Sequence, residues 1–402
     1  MQLFQKKVLP IFTSLIFTIV AVGFLSSLVN LIKFMQEKNL IEYPITYPPT
    51  GDSSKDPQVK VTEVLTGLAN PWDMTFINKD FFYYTQRIGE LRGHNLATGE
   101  DFLLIKPENI YVAGEAGLLS VQKDSDFEQN HYLFNCMDIQ NNGVAAVNVV
   151  RWTVSDDLKQ ILDKKIIISD MPANQSGRHS GCRIATSLDG TVWIVTGDTA
   201  VGTFPQDPKS LGGKVLRVDR DGNGVDGNLT EPFDHRIFSY GHRNMQGIVL
   251  FPKPIDGVYG LTAEHGSAVD DEVNLLKQGN FGWDPIPGYN EELPMTDLVK
   301  FPNAISPIWT SGAPTVAISG LTILKGSRWQ AWQGDVLVAV LKDMHIRLQK
   351  YDENWKLTRD DVIFTDFGRI RSVTQGLDGD LYFTTDNGIG HDKILRVTPV
   401  EN

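Results

Sequence analysis

The chain has 402 residues, and 49 Asp and Glu against 37 Lys and Arg give it a formal net charge of −12. That acidity argues against a nucleic-acid partner, because phosphate binding needs a basic face. Two cysteines exclude a disulfide scaffold, while 36 glycines and 20 prolines spread along the sequence favour many turns over long helices.

Residues 1–7 form a short basic segment with Lys6 and Lys7, and residues 8–32 carry no charge. A run of that length spans the ~30 Å hydrocarbon layer as a helix. The competing reading is a cleaved secretory signal, with Ala21 and Gly23 offering small residues at a cleavage site. The apolar run continues past Gly23 to Ile32, which favours an uncleaved membrane anchor. Lys33 and Lys38 offset Lys6 and Lys7, so orientation is weakly marked. Both readings place the rest of the chain in a periplasmic or other extracytoplasmic location. Residues 33–58 hold Pro44, Pro48, Pro49 and Pro57 around Gly51-Asp52-Ser53-Ser54, the composition of a Pro-rich linker. The globular part is residues 59–402.

Strand-rich units recur from there: Asn70–Asn95, Gly114–Val154, His179–Gly222, Gly241–Leu276, Gly320–Asp352 and Arg369–Pro399. Leu188-Asp189-Gly190 followed by TVWIV is a hairpin signal, and Leu377-Asp378-Gly379-Asp380 followed by LYF repeats it in a distant unit. Six such units predict an all-β fold, a six-bladed β-propeller of four-stranded blades. Cys136 and Cys182 fall in strands of different units, which argues against a bond between them, although export would permit one. Asp219-Arg220-Asp221-Gly222-Asn223-Gly224 resembles the start of a calcium loop. Its twelfth position is Thr230 rather than glutamate, so it reads as a hairpin turn.

In a propeller, residues far apart in sequence meet where the loops leading into the inner strands ring the axis. Five segments put polar residues at such places: Arg178-His179, Gly241-His242-Arg243-Asn244, Glu264-His265-Gly266-Ser267, Leu341-Lys342-Asp343 and Arg369-Ile370-Arg371. Taken singly, each has a plain explanation: a surface histidine, a turn, a snorkelling lysine, a solvated strand face. Asp270-Asp271-Glu272 reads as an exposed acidic turn. Taken together, Arg243, Lys342, Arg369 and Arg371 would make a positive pocket in an acidic protein, suited to an anionic ligand with carboxylates. A histidine at its mouth, His179, adds a candidate general base.

The motifs HSGCRIA, GGKVLRVDRDG, GHRNMQG, EHGSAVDDEVNLLKQGNFGW, VLKD and RIRSV with DGDLYFTTDN occur in this order. In that order they resemble the soluble pyrroloquinoline quinone (PQQ) glucose dehydrogenase and aldose sugar dehydrogenase family, from Val59 to the C-terminus. The resemblance implies a six-bladed propeller that oxidises the anomeric carbon of an aldose by hydride transfer to calcium-bound PQQ. His179 matches the catalytic base. Arg243 matches the arginine at the reacting quinone oxygen, and Asn244 a neighbouring cofactor contact. Lys342, Arg369 and Arg371 match the cations that hold the PQQ carboxylates. The backbone carbonyls of Gly266 and Ser267 match a pair that helps hold calcium.

The sequence also departs from the glucose enzyme. Glu115 and Thr199 stand for glutamines on the substrate side, and Arg178 for the acidic residue before the base. His265 stands for a glutamine and Ser267 for a proline. Glucose specificity therefore does not follow, and neither does the natural electron acceptor. The partner expected is a small sugar, and the membrane if residues 8–32 stay attached. The alternatives are a non-catalytic propeller binding a protein or glycan at the cell surface, and a calcium-dependent lactonase. The second wants carboxylate or Asn ligands at the axis, where these motifs put cations.

Overall fold

The computed structural model describes residues 56–400. The basic segment, the apolar run and the linker up to residue 55 lie outside the described residues. Among the described residues, no helix is long and apolar enough to cross a membrane.

Six sheets follow one another in sequence. Blade 1 contains Pro71–Asn78, Phe81–Gln86, Glu90–Asn95 and Asp101–Ile105. Blade 2 contains Leu118–Lys123, Tyr132–Asn141, Val144–Val154 and Ile161–Pro172. Blade 3 is built from Gly181–Thr186, Val192–Thr196, Lys214–Val218 and Ile237–Tyr240, with Gly279–Asn280 added as a parallel fifth strand. Blade 4 comprises Asn244–Ile255, Val258–His265, Glu272–Leu275 and Trp309–Thr310. Blade 5 comprises Ile318–Ile323, Val336–Val340, His345–Tyr351 and Leu357–Ile363. In blade 6, Ile370–Gln375, Leu381–Thr385 and Asp392–Pro399 are completed by the first strand of the domain, Val59–Leu68. Val59 lies opposite Pro399 and Leu68 opposite Asp392, so main-chain hydrogen bonds between the two ends of the domain close the ring.

The first strand of each blade is innermost, and these six strands contact one another around the axis. Apolar side chains fill the wedge between each pair of neighbouring blades. Between blades 3 and 4, for example, the fully buried Trp193 of blade 3 packs against Tyr259 of blade 4 with ring centroids 5.1 Å apart. The outer turns follow the local chemistry expected of them. Asp189 caps its hairpin by accepting from the Thr191 amide at 2.9 Å, and Gly190 takes the φ of +81° that the turn requires. The Asp219 loop is a hairpin turn: Asp219 accepts from the amides of Asp221 and Asn223 at 2.8 and 2.9 Å, and Asp221 is ion-paired with Arg151 and Lys165.

The expectation for the cysteines is corrected. Cys136 and Cys182 form a disulfide, with Cα atoms 6.1 Å apart. Membership of different repeats does not separate them, because Cys136 is in the second strand of blade 2 and Cys182 in the inner strand of the adjacent blade 3. Cross-linking over a separation of 46 residues restricts the unfolded chain. Removing the bond by a Cys136→Ala/Cys182→Ala variant should cost about 2–4 kcal/mol, read as a lower calorimetric Tm. An unchanged Tm would show that packing alone holds blades 2 and 3 together.

Candidate active site

The segments preceding the inner strands converge at one end of the axis. A groove of about 910 Å³ lies elsewhere, lined by Phe251, Tyr351 and Trp355 and by Val249 and Ile323 from the far ends of two inner strands. The mouth at the near end is where the sequence-selected residues meet.

His179 directly precedes blade 3 and has φ +55°, a left-handed conformation rare outside glycine. Thr199 (φ 52°) and Tyr289 (φ 53°) at the same mouth share it, which is where backbone strain is commonly stored. Gly197 makes the His179 conformation possible: a Cβ there would lie 1.8 Å from the His179 carbonyl oxygen. The His179 ring is buried, and its Nδ1 lies 2.8 Å from Asp198 Oδ1. Asp198 also accepts from the Trp283 indole at 2.8 Å, the Tyr289 hydroxyl at 2.9 Å and the Ala200 amide at 2.8 Å. Both of its oxygens therefore face donors, and the network assigns the ring proton to Nδ1. Nε2 then carries the lone pair, and no hydrogen bond to it occurs among the described residues. Burial, with Asp198 beside it, pushes the Tyr289 hydroxyl pKa up, so Tyr289 donates rather than ionises.

Opposite the histidine stands a polar ladder. Glu115 accepts from Asn244 Nδ2 at 2.9 Å and Gln246 Nε2 at 3.0 Å, and Arg371 donates to Gln246 Oε1 at 2.6 Å. Burial acts to raise the Glu115 pKa, but His265, His179, the Asn244 amide and Arg371 outweigh it and hold it below the usual range. Arg371 is also paired with Asp386. Burial opposes ionisation of Asp386, yet Arg371 keeps its pKa at about 2. Arg243 is buried and donates to the His265 carbonyl at 3.2 Å and to Glu291 at 2.7 Å. Arg369 and Lys342 differ from these two. Their contacts are the carbonyls of Leu341 (3.4 Å) and Thr315 (2.8 Å), and among the described residues neither forms an ion pair.

The pocket is thus less uniformly positive than the cation count suggested, because Glu115, Glu291 and Asp386 sit among the cations. A further correction concerns Asp270-Asp271-Glu272. Asp271 and Glu272 are buried, not exposed. Asp271 accepts from the amides of Gly266, Val316 and Ala317 at 2.8, 2.6 and 2.6 Å, which fixes the Gly266-Ser267 turn. Burial, with Glu264 alongside, pushes the Glu272 carboxyl up to about 8.

Several buried polar atoms of the mouth lack a hydrogen-bond partner: Thr199 Oγ1, Arg243 Nε, Asn244 Oδ1, His265 Nε2 and Ser267 Oγ. Each is costly unless a ligand or water satisfies it. Together with the two unpaired cations they fit a flat, carboxylate-bearing cofactor such as PQQ. Among the described residues, no group of three or more His, Cys, Asp or Glu has the geometry for a metal ion. A cation at Gly266-Ser267 would rest on main-chain oxygens, a donor type that suits calcium.

Sequence reasoning missed Trp283, Tyr289, Glu291, Gln246 and Asp386, and Asp198 as the partner of His179. Trp283 closes the EHGSAVDDEVNLLKQGNFGW motif, but the loop of Tyr289 and Glu291 beyond it carries no pattern of its own, and its partners His179 and Arg178 lie 110 and 113 residues away.

The sequence matches the Glucose / Sorbosone dehydrogenase family over residues 68–396. It is 30% identical to the aldose sugar dehydrogenase of Escherichia coli, across 85% of this chain and 93% of that protein. Identity to quinoprotein glucose dehydrogenase B of Acinetobacter calcoaceticus is 24%, across 68% of this chain and 73% of that one. The apo structure of the soluble E. coli aldose sugar dehydrogenase matches with a TM-score of 0.76 at 28% identity, covering 85% of this chain and 100% of that one. The PQQ-bound aldose sugar dehydrogenase of Streptomyces coelicolor shares the fold with a TM-score of 0.68 at 21% identity, covering 86% of this chain and 100% of that one. With its six-bladed propeller and a histidine facing cations at the axial mouth, this chain belongs to the glucose/sorbosone dehydrogenase family, oxidoreductases that act on sugars.

Proposed function

We propose that the protein is an exported PQQ-dependent aldose dehydrogenase, oxidising the anomeric carbon of a sugar at the axial mouth. The observation that carries this reading is the His179–Asp198 pair, with Nε2 free, across from cations that lack carboxylate partners. His179 Nε2 takes the proton of the anomeric hydroxyl, and Asp198 holds the ring in position as it becomes positively charged. Arg243 and Asn244 would contact the cofactor, and Lys342, Arg369 and Arg371 would hold its carboxylates. PQQ, when bound, supplies the two-electron acceptor for the hydride. Glu115, Arg178 and Thr199 line the substrate side. Main-chain oxygens of Gly266 and Ser267 would hold a calcium ion, whose chemistry there is to polarise a cofactor carbonyl. Residues 1–32 export the domain and tether it to the membrane through residues 33–58.

The test is reconstitution with PQQ and calcium, followed by dye reduction with a broad panel of aldoses and alcohols. Turnover with at least one aldose is expected. No turnover with any of them would contradict the proposal and favour a binding module. Treatment with a calcium chelator should weaken PQQ binding roughly tenfold or more, restored by added calcium. Unchanged affinity in chelator would remove calcium from the site.

A further inference from the structure

One carboxylate oxygen at the mouth, Glu291 Oε1, receives guanidinium groups from two different blade junctions. Arg178 Nη2 lies 2.8 Å from it and Arg243 Nη2 lies 2.7 Å. The Glu291 loop runs between Gly279–Asn280 and Trp309–Thr310, and two residues earlier it supplies Tyr289, whose hydroxyl is 2.9 Å from His179 Nδ1. Arg178 also stands over the Tyr289 ring, with Cζ 5.8 Å from the centroid. The Arg178 and Glu291 side chains are 47% and 39% exposed and that of Arg243 only 7%, so the cluster reaches from solvent to the buried cation.

We propose that Glu291 is a specificity-determining residue that occupies both arginines and so restricts the site to uncharged aldoses, turning away acidic sugars such as uronic acids. This rests on the dehydrogenase reading above and deepens it by naming the charge class of the substrate. Arg178 directly precedes the base, and its guanidinium lies over Tyr289, whose hydroxyl contacts the base, so it stands at the edge of the same mouth. Left unpaired, Arg178 and Arg243 would form an arginine trap for a carboxylate. With Glu291 in place, an incoming carboxylate meets occupied guanidiniums and a like charge. Burial acts to raise the Glu291 pKa, but the hydrogen bond and charge of Arg243, with Arg178 and His179, hold it below the usual range. The negative charge therefore persists through the neutral range. A neutral sugar meets no such repulsion, and its hydroxyls can both donate to Glu291 and accept from Arg178.

The test is Glu291→Gln, which keeps the shape and removes the charge, with Glu291→Asp as the charge-retaining control. The kcat/KM values for D-glucose and D-glucuronate, and for D-galactose and D-galacturonate, are compared in PQQ- and calcium-loaded protein at low and high salt. In parallel, glucuronate binding to cofactor-free protein is followed by calorimetry. In Glu291→Gln the uronate-to-aldose ratio should rise about tenfold at low salt, mainly through KM, and fall back at high salt. Glu291→Asp should stay near the wild-type ratio, and cofactor-free Glu291→Gln should bind glucuronate more tightly than wild type. A ratio and a glucuronate affinity both unchanged in Glu291→Gln would overturn the proposal, as would a wild type that already prefers uronates. If wild type oxidises none of these sugars, the dehydrogenase reading is what fails, and calorimetry alone decides the charge preference of the mouth.

Discussion

Replacing His179 by alanine is expected to lower kcat about 10³-fold while PQQ affinity changes little. The inner nitrogen of the histidine is committed to Asp198 at 2.8 Å, which leaves its outer nitrogen to face the substrate. Removing it deletes the proton acceptor but leaves Lys342, Arg369 and Arg371 in place. Asp198→Asn separates orientation from charge. An amide nitrogen facing Nδ1 would favour the other tautomer and turn an N–H toward the substrate, so this variant should lose about 10²-fold or more in kcat. Stopped-flow measurement at saturating sugar checks both. Wild-type kcat in His179→Ala would remove the base from the account.

The second large effect is expected from Lys342→Ala/Arg369→Ala, with PQQ affinity falling by at least about 10²-fold, since each charge-assisted hydrogen bond contributes roughly 1.5–3 kcal/mol. These cations are the informative pair because carbonyl oxygens of Thr315 and Leu341 hold them, so truncation leaves no buried carboxylate stranded. Arg371 is a poorer choice. It is buried and paired with Asp386, and cutting a buried pair in half typically costs 3–5 kcal/mol of stability. The double variant should therefore keep its wild-type Tm, and PQQ titration monitored by absorbance reads the affinity. An affinity within threefold of wild type would mean that these cations serve another ligand.

Local chemistry made the blades legible. The Asp189-Gly190 turn and the TVWIV strand carry their own signals, and the same hairpin recurs at Asp378-Gly379. Ring closure was not legible, because the pairing of Val59–Leu68 with Asp392–Pro399 is set by the geometry of the whole ring. The same holds at the mouth. His179 and the cations stand out by residue type next to inner strands, and the structure brings them together. Tyr289 and Glu291 do not stand out, since a loop with no strand pattern carries them. Asp271 looked like surface charge beside Asp270 and Glu272. Its true task, accepting three amides, emerges only when blades 4 and 5 are adjacent.

The most direct test of the central claim is a single turnover under anaerobic conditions. Protein loaded with PQQ and calcium is mixed with an excess of aldose, and the quinone absorbance is followed. Stoichiometric conversion to the reduced spectrum in wild type, at least about 10²-fold slower in His179→Ala, is the predicted result. An oxidised spectrum that persists in wild type with every aldose tried would contradict the account.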